Sequence, residues 1–184
     1  METKLSTKPN RISDKDISVD YELIKDICSN ALSDNPNDIE AFLMRAEARF
    51  YLKDFFGAVE DYDSAIALNP DNADYYCNRS IVKYWLEDYH GAVADTTMAI
   101  KLQPDSIHAY SKRGIAYYLS GNFSKALADF NKCIQLDPLL GMPWFCKGVI
   151  KVQMGKKKVG NADLQHGKDL GYRGGFMLYA GKWK

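Results

Sequence analysis

Four prolines set the frame of this chain. Pro36, Pro70, Pro104 and Pro138 follow one another at intervals of 34 residues, in the stretches "DNPND", "LNPDN", "LQPDS" and "LDPLL". A fixed period between about 20 and 50 residues marks a repeat architecture, in which each unit buries its apolar face only against its neighbours. Starting each unit three residues after its proline gives 39–72, 73–106 and 107–140. In that frame position 20 is Ala58, Ala92 and Ala126, and position 27 is Ala65, Ala99 and Cys133. Position 12 is Phe50, Tyr84 and Tyr118, and position 17 is Phe55, Tyr89 and Phe123. Position 7 is Arg45, Arg79 and Arg113, followed by the small residues Ala46, Ser80 and Gly114. Small residues at 8, 20 and 27 let two helix backbones approach, and large ones at 4, 12, 17, 24 and 30 fill the space between them.

Each unit therefore reads as two helices, an A and a B. In the first unit helix A is expected over 41–53 and helix B over 55–68, with "KDF" between them. Gly121 and Asn122 mark the same turn in the third unit. Helix B stops before its proline, because the residue preceding proline is disfavoured in helical conformation. The Asp or Asn that follows offers a cap to the next helix A.

The frame extends beyond the three units. From Val19, apolar residues recur at helical spacing and predict a helix over 19–34 in the register of a helix B, with Cys28 at position 24 and Ala31 at 27. Its A partner is missing or degenerate. A fourth, degenerate unit is expected over 141–172. Pro143 suits a first helical turn. Trp144 stands at position 4, Gly148 at 8, Gly155 at the turn, Gly160 at 20, Leu164 at 24 and Gly167 at 27. Tyr172 replaces the fifth proline, so the repeat ends there. Residues 17–172 thus form one helical domain. Residues 1–16, polar and charged, read as a mobile segment, and 173–184 as a tail that either caps the stack or fills its groove.

Composition narrows the function. The 46% apolar fraction is that of a soluble globular chain, and the formal net charge is zero, which gives no general attraction to nucleic acid or membrane. The distribution is uneven: residues 1–140 carry 15 Lys/Arg against 22 Asp/Glu, whereas 141–184 carry 9 against 2. No run has the roughly 18 apolar residues of a membrane helix, and the first residues hold no signal-peptide core. Cys28, Cys77, Cys133 and Cys146 form no C-x-x-C pair and read as free thiols in a reducing compartment. A cytoplasmic location is expected, or a periplasmic or secreted one if a signal peptide has been removed. His90, His108 and His166 lie in different units and form no H-E-x-x-H, and "GYRGGF" lacks the G-K-[ST] of a phosphate loop. No catalytic, metal or cofactor residue is expected.

The frame resembles the tetratricopeptide repeat. The third unit matches best through Tyr110, Gly114, Tyr117, Ala126, Phe130 and Pro138, with Cys133 as a departure. The first matches through Phe42, Ala46, Ala58, Tyr62, Ala65 and Pro70, and the second through Tyr76, Ser80, Ala92, Ala99 and Pro104, with Thr96 at an aromatic position. The resemblance implies an all-α fold, a right-handed superhelical solenoid of antiparallel helix pairs whose A helices line a concave groove. It implies a non-enzymatic module that binds a peptide or protein in that groove, as a monomer or weak homo-oligomer.

Family geometry puts positions near 2, 5, 6, 9, 12 and 13 on the groove. The candidate partner residues are then Glu47, Phe50, Tyr51, Asn78, Ile81, Tyr84, Trp85, Lys112, Ile115, Tyr118, Phe145 and Val149. The same positions include Cys77, Ser111 and Cys146. The aromatics would form a ridge, or would pack as core. Arg45, Arg79 and Arg113 read as structural partners of nearby carboxylates. Two alternatives stay open: an assembly scaffold using the convex face or the basic C-terminal end, and a co-chaperone-like adaptor. The adaptor is disfavoured because the family's carboxylate-clamp positions hold Leu43, Glu47, Asn78, His108 and Lys112, of which Leu43 and Glu47 do not match.

Overall fold

The computed structural model describes residues 19–174. The expected mobile segment 1–16 and all but the first two residues of the tail lie outside the described residues. Nine α-helices and no strand are present among those described: α1 (Tyr21–Asp34), α2 (Ile39–Tyr51), α3 (Phe55–Leu68), α4 (Ala73–Trp85), α5 (Tyr89–Leu102), α6 (Ile107–Leu119), α7 (Phe123–Leu136), α8 (Gly141–Gln153) and α9 (Lys157–Asp169). Each helix packs mainly on its sequence neighbours, and α4 also touches α6. The arrangement is an all-α solenoid of helix pairs.

Caps place the helix ends. α1 starts at Tyr21 rather than 19, because Asp20 caps it by accepting from the Leu23 N–H. α2 runs two residues earlier at both ends than the expected 41–53. Asp38 caps it at Ala41 N–H, and Lys53 takes φ 65, where a helix cannot continue. The left-handed residue recurs one period on at Glu87 (φ 58), Gly121 (φ 78) and Gly155 (φ 81). The turn demands this conformation in every unit, although only two units supply the residue that adopts it without strain. The next residue then caps helix B: Asp54, Asp88 and Asn122 each accept from an N–H three residues on.

The core is a chain of small clusters between adjacent pairs. Ala46, Ala58, Tyr62 and Val82 form one. Ala73, Tyr76, Cys77, Ala99 and Ala109 form the next. Ile115, Ala126, Phe130, Cys146 and Ile150 form a third. The Phe130 ring fills the space over Gly114, whose missing Cβ would lie 3.0 Å from it. Thr96, at the aromatic position of the second unit, is fully buried and donates its hydroxyl to the Ala92 carbonyl.

A polar ladder runs through the same stack. Arg45 grips Asp61, Arg79 grips Asp95 and Arg113 grips Asp129, each through Nε and Nη2 at 2.6–3.2 Å. The three Asp residues are almost fully buried. A two-pronged guanidinium–carboxylate pair satisfies both acceptor oxygens, which is what makes such burial tolerable. Each arginine also reaches back to the preceding unit, to Ser29, Asp63 or Thr97 respectively. Each also lies over an aromatic ring at position 4: Phe42, Tyr76 or Tyr110.

Candidate functional site: the inner face

The inner face is built by α2, α4, α6 and α8, one helix per unit. Between α2 and α4 lies a recess of roughly 210 Å³ lined by Glu47, Phe50, Tyr51, Tyr62, Asn78, Ile81 and Val82. Five of the twelve expected groove residues meet there. Two of the lining residues, Tyr62 and Val82, belong to the buried cluster and form its floor. Burial pushes the Tyr62 phenol up to about 12, so the floor carries no charge at neutral pH.

The rim is aromatic. Tyr51 stacks on Tyr21 at 4.4 Å, and Phe50 meets Tyr51 edge-on at 5.6 Å. Trp85 lies at 6.1 Å from Phe50 and stacks on Phe55 at 5.8 Å. Tyr51 and Trp85 nevertheless keep 52% and 40% of their surface open, enough to offer a flat apolar wall to a ligand. Glu47 and Asn78 are exposed at the mouth and make no hydrogen bond or ion pair among the described residues. Polar groups free beside an aromatic wall can order a peptide backbone while the rings take its side chains.

The second half of the inner face differs. Tyr84 is half-buried, and its hydroxyl donates to the Lys112 carbonyl, so it ties α4 to α6. Burial holds its phenol well above the ordinary value. Tyr118 accepts from Gln153 Nε2 at 2.9 Å and ties α6 to α8 in the same way, while its ring stacks on Phe123 at 5.9 Å. Ile115 is buried on Phe130 and Ile150 and supports the surface from below. Lys112 is partly buried with no carboxylate in ion-pair range among the described residues. Burial lowers its pKa, and Cys77 and Asp74 oppose that shift. Phe145 packs on Tyr172 at 5.2 Å, and Val149 is half-buried beside it on α8.

Besides Ile115, which is core and not groove, three more expected groove positions are core. Cys77, Ser111 and Cys146 are buried, because small residues there face the adjacent helix. All four cysteines are free and buried. Burial pushes the Cys77 thiol up to about 11 and that of Cys133 to about 12, so neither is a nucleophile near neutral pH. Among the described residues no group of three His, Cys, Asp or Glu could hold a metal ion. No described helix is long and apolar enough to cross a membrane.

The comparisons with known proteins agree on the repeat. The Tetratricopeptide repeat pattern matches residues 108–138, and a TPR repeat pattern matches 46–86. Among solved structures, MamA superposes with a TM-score of 0.75 at 18% identity, over 82% of this chain and 88% of that one. YrrB, described as a TPR protein with an unusual peptide-binding site, superposes at 0.69 with 18% identity, over 89% and 84%. The TPR domain of Arabidopsis OM64 superposes at 0.59 with 29% identity, over 62% of this chain and 95% of that domain. No curated protein matches.

Proposed function

We propose that this chain, a tetratricopeptide-repeat protein, is a non-catalytic interaction module that holds an extended peptide segment of a partner along its inner face. The observation that carries the reading is the recess between α2 and α4, with its aromatic rim and two free polar groups. The peptide would anchor an apolar side chain against Tyr51 and Trp85, and Asn78 would bond its backbone. Glu47 makes the mouth unfavourable to a carboxylate and favourable to a basic side chain. YrrB, which shares the fold, is described by its peptide-binding site, and that supports the same use of the face here.

A displayed random-peptide library panned against the chain tests this. Enriched peptides should lose about tenfold or more in affinity on Tyr51→Ala, Asn78→Ala or Trp85→Ala, side chains that face the opening. Tyr84→Phe is the control for a residue that ties helices together. Unchanged binding to all three recess variants, with unchanged circular dichroism, would remove the inner face from consideration.

A further inference from the structure

α1 occupies the register of an outer helix, and only one of its faces is used. Cys28 and Leu32 are buried, and Ile24, Ala31 and Phe42 pack around them with Ala41. On the other side Leu23 and Ile27, one turn apart, are 55% and 57% exposed, and Val19 just ahead of the helix is 50% exposed. At the position of Ile27 the later outer helices carry Asp61, Asp95, Asp129 and Asp163, each buried against a basic residue of its own inner helix, whereas at the position of Leu23 Lys125 and Val159 stay exposed. A helix face of this kind, left open at the end of a stack, is an adhesive surface.

The opposite end carries the complement. After α9 the chain turns at Gly171 (φ 87), and the Tyr172 ring packs on Phe145 of α8. In the 34-residue frame, which puts Gly141 at position 1 of the fourth unit, residue 175 is position 1 of a fifth. Residues 175–184 read "GFMLYAGKWK", with Phe176, Met177, Leu178, Tyr179 and Trp183 available for burial. Charge points the same way. Residues 19–38 hold five Asp/Glu and one lysine, whereas 156–184 hold seven Lys/Arg and two Asp.

We infer that the open face of α1 binds residues 175–184 of a second copy, so that copies join head to tail. The segment serves as the inner helix that α1 lacks, and the joint continues the solenoid from one copy into the next. Residues 5–17 of the same chain hold only Leu5, Ile12 and Ile17 among polar residues, with Pro9 between them, and make a poor filler for the slot. Three aromatic side chains at roughly 150–250 Å² each give a contact of the small, reversible class. Such a joint pairs two different surfaces, and it extends instead of closing. The inference is separate from peptide binding, since none of these residues lines the recess.

Sedimentation velocity at low salt, up to roughly 100 μM, tests it in the range where weak specific contacts fill. The full chain should grow in mass with concentration, and added salt should reverse this. Leu23→Glu/Ile27→Glu, which spoils the face, and Phe176→Glu/Leu178→Glu, which spoils the segment, should each stay monomeric. Mixed together they should form a dimer that grows no further, because one good face meets one good segment. Asp26→Lys/Asp34→Lys alters only exposed charges and should weaken assembly at least about threefold, which guards against misfolding of the face variant. A full chain that stays monomeric at the highest concentration overturns the inference. So does a segment variant that still assembles, which would mean that the faces pair with each other or with residues 1–18, and so does a mixture that stays monomeric.

Discussion

The third unit and the fourth solve the same packing problem by different means. In the third, α6 and α7 are held apart by a ring: Phe130 fills the space over Gly114, and Arg113 closes on Asp129 from the side. In the fourth, α8 and α9 come together backbone to backbone. A Cβ on Gly148 would lie 2.7 Å from the Gly160 carbonyl oxygen, and one on Gly141 would lie 2.5 Å from that of Gly167. The arginine is replaced by Lys147, 4.0 Å from Asp163, helped by Lys151 at 2.6 Å. Asp163 Oδ2 still has no well-directed hydrogen bond, because an ammonium is a point charge and lacks the guanidinium's fork. The caps differ too: Ser106 and Asn122 cap the helices of the third unit, whereas Leu140 and Lys156 offer none to those of the fourth. One 34-residue frame therefore tolerates two cores, one filled by side chains and one by proximity.

This contrast predicts where each unit is fragile. Phe130→Ala should cost about 3–5 kcal/mol, as for a fully buried aromatic, whereas Leu164→Ala, at the same position and only partly buried, should cost less than half of that. Urea titration followed by circular dichroism measures both, and equal losses would erase the distinction. Asp129→Ala should cost about 2–4 kcal/mol because it strands a largely buried guanidinium. Asp163→Ala frees two lysines that can turn to solvent and should cost at most about half as much, read from the same titration.

For the glycines the order reverses. Gly160→Ala should destabilise by about 1–3 kcal/mol, since its Cβ meets the Val152 nitrogen and the Gly148 oxygen at 2.8 Å and backbone cannot step aside. Gly114→Ala meets only the end of the Phe130 ring at 3.0–3.3 Å and should cost less, part of the clash being offset by alanine's helix propensity. Native-state hydrogen exchange, read helix by helix, would locate the loss in α8–α9 for the first and in α6–α7 for the second. The smallest effect is a gain. Lys156→Asp supplies the cap that α9 lacks and should add about 1 kcal/mol, seen as a higher thermal midpoint.

The frame, the helix pairs and the turns were legible because they depend on spacing along one chain. The partners of Arg45, Arg79 and Arg113 were legible in principle. Asp61, Asp95, Asp129 and Asp163 recur at the 34-residue interval, 16 residues after position 7, and would have named them. Tyr84 and Tyr118 were not. Whether a tyrosine at position 12 opens to the groove or bonds the next inner helix depends on the distance between units, which no local pattern encodes. The same holds for Cys77 and Ser111, whose burial follows from the close approach of α4 and α6. At the recess, Phe50 and Tyr51 sit on the first inner helix of the described residues, where α4 is the one inner helix beside them and Tyr21 of α1 and Phe55 of α3 take their other faces.

The placement of the indoles has a practical consequence. Trp85 stands at the rim of the recess beside Phe50 and Phe55, and Trp144 lies under Lys147 at 4.2 Å and beside His166 at 4.7 Å. The two chromophores therefore report on different halves of the molecule. With Trp144 and Trp183 changed to Phe, the emission of Trp85 alone would follow the entry of a peptide. With Trp85 and Trp183 changed instead, Trp144 would follow the melting of α8 and α9. The molecule thus carries its own optical probes for two events that any binding assay would otherwise superimpose.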